Sequence, residues 1–134
     1  RGTVRSFKPE VQHLQEVAIR RIAEGICRAH DCRLETVYQR RYPPTINETE
    51  ATKAAVRAAA DVSAPDKVIT DPTPSMGSED FAFMLNEKPG CYVWIGNGSV
   101  EEGNMLHNPK YDFNDNILTI GASYWARLVE IELA

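Results

Sequence analysis

A chain of 134 residues, 43% hydrophobic and 25% charged, has the make-up of one folded domain rather than of a disordered segment. Its formal net charge of −4 and pI near 5.4 exclude a nucleic-acid binder, which needs surplus Lys and Arg to displace counterions. Its apolar runs break within a few residues, so no membrane partner is expected.

The first stretch, "RGTVRSFKPE", has no apolar h-region, so no secretion signal is expected. It starts on Arg1 rather than Met, as a processed chain or a piece of a longer protein would. "GTVRSF" (2–7) is short, β-branched and alternating, and reads as a strand. Pro9 suits the first turn of a helix, and Val11, Leu14, Ala18, Ile22 and Ile26 recur at spacings of three and four, an apolar helical stripe. "CRLETVYQRRY" (32–42) alternates again and reads as a second strand. Pro43-Pro44 then continue neither helix nor central strand, which sets a boundary there.

Beyond it, Asn47 is placed to cap an Ala-rich helix running to about Val62, with Glu50 at the capping-box position. "KVIT" (67–70) reads as a short strand and "DPTPSMG" (71–77) as a loop, after which Ser78-Glu79-Asp80 open another helix. "CYVWIG" (91–96) is a continuous apolar run of the kind found in buried strands. A Gly/Asn-rich loop over 96–116 follows, long enough to be functional, and a helix over 118–133 ends the chain. Alternating strands and helices predict an α/β (α+β) architecture in two pieces, 1–42 and 43–134.

Chemistry-bearing residues are few. Cys27, Cys32 and Cys91 make an odd count without a CxxC pair and read as reduced thiols of a cytoplasmic protein. His13 and His30 lie seventeen residues apart on the first helix, nearly five turns, and cannot share an ion. His107, in "MLHNPKYDFND", sits on a Gly/Asn/Pro loop with Asp112 and Asp115 nearby, a ligand's setting without companion ligands, since zinc needs three or four donors; the alternative is a loop histidine that hydrogen-bonds backbone. Glu101-Glu102 reads as a solvated turn. Gly77 and Ser78, just before a helix start, offer backbone N–H groups to an anion such as a carboxylate. Arg5, from a strand face, has the planar fork that can grip a carboxylate, the alternative being a plain surface charge. No GxSxG elbow and no phosphate-binding glycine motif is present.

Taken in order, "GTVRSF", "YPPTIN", "PSMGSEDFAFML" and "MLHNPKYDFND" resemble the C-terminal part of the two-metal aminoacylase and carboxypeptidase family, in its branch of hippurate hydrolases and N-acyl-amino-acid amidohydrolases. The resemblance covers essentially the whole chain. It implies the C-terminal part of a phosphorylase/hydrolase-like catalytic α/β domain at 43–134, preceded at 1–42 by a strand-helix-strand half of a ferredoxin-like lid through which two copies form a homodimer. It implies two divalent metal ions, zinc or else manganese, cobalt or nickel, with His107 as one ligand. It assigns Arg5 to the substrate's α-carboxylate, Gly77 and Ser78 to substrate contact through backbone N–H, and Asp112 to Asp115 to bracing the histidine loop. The remaining ligands and the general-base glutamate belong to segments absent from these residues, so no catalytic residue is expected here. The implied reaction is attack of a metal-activated water on the amide of an N-acyl or N-aroyl amino acid, with this chain inactive alone and unable to hold the metals stably. The alternatives are a non-enzymatic anion-binding or dimerisation module, and one subunit of a split enzyme.

Overall fold

A computed structural model describes residues 1–98 and 106–134. Residues 99–105, with Glu101, Glu102 and part of the loop over 96–116, lie outside that description. Among the described residues four helices carry the fold: α1 (Pro9–Ala29), α2 (Thr49–Ser63), α3 (Phe81–Glu87) and α4 (Leu118–Leu133), with 3-10 turns at Pro65–Lys67 and Asp115–Ile117. The chain forms two compact units, Arg1–Ile46 with Pro74–Lys88, and Asn47–Thr73 with Pro89–Ala134.

The predicted α/β architecture is not what the structure shows. Among the described residues there is no β-strand at all, so neither the α/β catalytic sheet nor the strand-helix-strand half of a ferredoxin-like lid is present. The reason lies in what alternation encodes. A period of two assigns side chains to two faces, but a strand exists only where its backbone finds a neighbour. The segments over 2–7, 32–42 and 67–70 find none; Val37 is 86% exposed and Ile69 79%.

The run over 91–96 is instead held by a side chain. The Asn47 amide accepts from the Tyr92 N–H at 2.8 Å and donates to the Tyr92 carbonyl at 2.9 Å, satisfying both backbone groups as a strand partner would. The Glu48 N–H donates to the Gly90 carbonyl at 2.9 Å. This apolar run is also not buried, since Val93, Trp94 and Ile95 all stay exposed.

In the first unit, α1 starts at Pro9 as the sequence predicts, with Glu10 in its first turn and Arg28 in its last, each matched to the helix dipole. It ends in a Schellman motif. Asp31 takes the left-handed φ of 53°, Cys32 N–H returns to the Cys27 carbonyl and Asp31 N–H to that of Arg28. None of its residues is buried, and Leu14, Ile22 and Ile26 are each more than half exposed. The Tyr42 and Phe83 rings lie 5.7 Å apart, bringing 42 and α3 together.

The second unit holds the core. Ala54, Ala55 and Ala58 recur on one face of α2 and are buried, so small side chains let α4 approach closely. Tyr124 fills the seam, with Val62, Cys91, Leu128 and Ile131 packed around it. Burial, and then the neighbouring Cys91, push the Tyr124 phenol above its usual range. The Arg127 guanidinium reaches Asp61 at 2.7 Å and ties the two helices at their rim. α2 begins one residue later than expected: Glu48, not Asn47, is the cap, its carboxylate accepting from the Ala51 N–H at 2.8 Å. α3 likewise begins at Phe81 rather than at 79.

Candidate functional site

Within the first unit, Arg5 meets the segment that carries Gly77 and Ser78. Its Nη1 donates to the Ser78 Oγ at 3.1 Å and to the Met76 carbonyl. The Gly77 N–H donates to the Ser75 Oγ at 3.3 Å, so it is turned into its own loop. The Phe81 N–H at the start of α3 is taken by the Glu79 carboxylate at 3.2 Å. The sequence expected backbone N–H groups of this segment to face an anion; the cation it holds, Arg5, is the feature that could receive one.

Elsewhere in this unit, Arg40 donates through Nε and Nη2 to Glu16 Oε2 at 2.9 and 2.7 Å, and through Nη2 to His13 Nδ1 at 3.1 Å. These residues line an open cleft of about 390 Å³ along α1. His13 is thereby engaged with a cation rather than with a metal-ligand set.

His107 belongs to the second unit, on an exposed turn with φ of 73°. Left-handed backbone is uncommon for a non-glycine residue, although histidine tolerates it better than branched side chains do. The turn closes locally: the Lys110 N–H donates to Asn108 Oδ1 at 2.8 Å and the Tyr111 N–H to the Asn108 carbonyl at 2.9 Å. Its base is closed by Asn114, within the 112–115 segment that the resemblance assigns to bracing this loop, and by Asn97, to which the sequence gives no such role. The Asn114 N–H donates to Asn97 Oδ1 at 2.8 Å, Asn114 Nδ2 to the Asn97 carbonyl at 3.1 Å, and Asn97 Nδ2 to the Asp112 carbonyl at 3.2 Å. Gly98 follows at φ +100°, where a Cβ would also stand 3.4 Å from Asn114 Nδ2. The "NG" dipeptide was the available signal, because Asn and Gly adopt such turns at least cost.

Residues 5–131 match the model of peptidase family M20/M25/M40. The chain belongs to this family. It is 33% identical to the N-acetylcysteine deacetylase of Bacillus subtilis over 132 residues, which are 98% of this chain and 33% of that protein. It is 33% identical to the hippurate hydrolase of Campylobacter jejuni over 126 residues, 94% of this chain and 32% of that enzyme. Thermostable carboxypeptidase 1 of Saccharolobus solfataricus is 27% identical over 124 residues, 90% of this chain and 30% of that protein. The chain thus spans about a third of the length of the curated relatives it matches. No solved structure matches it, and among the described residues no helix is long and apolar enough to cross a membrane.

For this member of the M20 family, the donor set can be tested against a metal. A stable zinc site needs at least three N, O or S donors converging on one ion. Among the described residues no three His, Cys, Asp or Glu side chains converge in that way. The described residues therefore do not make a metal site by themselves, and His107 stands as a single exposed imidazole.

Proposed function

We propose that this chain works as part of a metal-dependent amidohydrolase that cleaves the amide bond of N-acyl or N-aroyl amino acids. The observation that carries the reading is family membership over 5–131, with a deacetylase and a hippurate hydrolase among the relatives. In this reading Arg5 binds the α-carboxylate, and Gly77 and Ser78 line the same substrate position. Residues 1–42 are the segment through which two copies pair, and the exposed stripe of Leu14, Ile22 and Ile26 on α1 supports that role. Residues 43–134 form the C-terminal segment of the catalytic part. His107 donates one imidazole to a two-metal centre of zinc, manganese, cobalt or nickel, and the other ligands come from outside this chain. Free thiols at Cys27, Cys32 and Cys91 go with a cytoplasmic setting.

The test has two arms. The 134-residue chain with added Zn²⁺ or Mn²⁺ should release no amino acid from hippurate or N-acetyl amino acids. Turnover that vanishes in His107→Ala would overturn the assignment of the remaining ligands to other segments. The whole enzyme carrying this chain should hydrolyse those substrates and lose activity in a chelator; chelator-resistant or absent amide hydrolysis would sink the functional reading itself.

A further inference from the structure

The contact between Arg5 and the 76–78 segment has a consequence for how the guanidinium is presented. A guanidinium carries five N–H donors, two on each Nη and one on Nε. Both Nη1 hydrogens have acceptors here, the Ser78 hydroxyl oxygen at 3.1 Å and the Met76 carbonyl. Among the described residues Nε and Nη2 take no partner. That remaining edge is the side-on fork whose two parallel N–H groups match a carboxylate. Arg40 of the same unit uses the same edge, placing Nε and Nη2 at 2.9 and 2.7 Å from Glu16.

We infer that Ser78 is a positioning residue for Arg5. Its hydroxyl, with the Met76 carbonyl, holds Nη1 so that the Nε–Nη2 edge stays free and oriented for the α-carboxylate of an N-acyl amino acid. The inference rests on the reading of Arg5 as the carboxylate-binding residue and adds what aims it. An arginine on an exposed, irregular segment loses much side-chain entropy when it docks a ligand. Two acceptors on Nη1 remove part of that cost in advance. The hydroxyl matters through its acceptor oxygen, so threonine can replace serine and alanine cannot.

The experiment compares Ser78→Ala, Ser78→Thr and Arg5→Ala in the whole enzyme, on an N-acetyl amino acid and on its primary C-terminal amide. Loss of one positioning hydrogen bond of ordinary net strength, with the Met76 carbonyl still in place, predicts a rise of about two- to tenfold in KM for the acid in S78A. The rise in KM should be smaller for the amide substrate than for the acid, and larger than any change in kcat. S78T should restore the parent KM for the acid. Arg5→Ala should abolish the preference for acid over amide. If Arg5→Ala abolishes that preference while S78A keeps it, Arg5 binds the carboxylate but Ser78 does not position it. If Arg5→Ala leaves the preference intact, the carboxylate reading of Arg5 fails and this inference with it. Equal KM rises for acid and amide in S78A would show a general loop effect and also overturn it.

Discussion

Asn97 and Asn114 hold each other reciprocally: each side chain bonds the other residue's backbone, at 2.8 and 3.1 Å. Asn114 Oδ1 also accepts from the Asn116 N–H at 3.1 Å, opening the 3-10 turn that leads into α4. Asn114→Ala removes two of these bonds and should cost the second unit about 1–2 kcal/mol. Asn97→Ala leaves the Asn114 N–H without its acceptor and should cost a similar amount. Because the two residues share bonds, the double variant should be less destabilised than the sum of the singles. Urea unfolding of the four chains checks this, and strict additivity would contradict a shared clasp.

The α2–α4 seam is set by how small its residues are. Ala58 is fully buried, with Ala55 and Tyr124 in the same cluster. Ala58→Leu forces extra methylenes into a closed interface and should destabilise by about 1–3 kcal/mol. Ala58→Gly loses helix propensity and a buried methyl group, about 1–2 kcal/mol together. Chemical denaturation should therefore rank the parent above both variants. An Ala58→Leu chain as stable as its parent would mean that the helices do not meet at that residue.

The helices were legible because their signals are local. Pro9 and the 3.6-residue stripe gave α1 its start, and the apolar periodicity of 118–133 gave α4. The strands were misread because pairing is not a local property, and the segment over 91–96 shows the substitution plainly. Asn47 looked like a helix cap because its side chain can satisfy backbone groups, and it does so, but on Tyr92 rather than on its own helix. The cap then fell to Glu48. At the candidate site, Arg5 and Ser78 each stood out on the sequence for their own chemistry. Their hydrogen bond spans 73 residues, and no periodicity or motif carries information over that separation. The pairing of Asn114 with Asn97 under the His107 turn is hidden for the same reason, the two lying 17 positions apart.

Glu48 gives the acid limb of stability a specific contributor. Its carboxylate is held below the ordinary value of 4.5, first by the Ala51 N–H and then by the Glu50 N–H. A depressed folded-state pKa means the unfolded chain binds the proton more tightly. The contribution is therefore complete above the unfolded value near 4.5 and fades as pH falls through the lower folded value. Glu48→Gln keeps an acceptor but cannot titrate, so its melting temperature should lie below the parent's at pH 7 and converge on it as the pH drops below 4.5. Melting curves between pH 3 and pH 7 would show it, and a gap that widens on acidification would contradict the cap.

His107 combines a ligand's side chain with a backbone conformation that its side chain makes costly. At φ 73° a residue with a Cβ sits where glycine is free to go, and the cost is of order 1 kcal/mol. Removing the imidazole and removing the strain are separable. His107→Ala keeps a Cβ at the same φ and, on an exposed turn, should leave stability near the parent's. His107→Gly should stabilise the chain by about 0.5–1 kcal/mol. If the histidine is retained for the chemistry proposed, both variants should abolish activity in the whole enzyme although one is more stable than the parent. That pairing of opposite effects separates a functional imidazole from a structural one, because a residue kept for folding would lose stability and activity together. Activity surviving in His107→Gly would leave the left-handed turn without a functional reason.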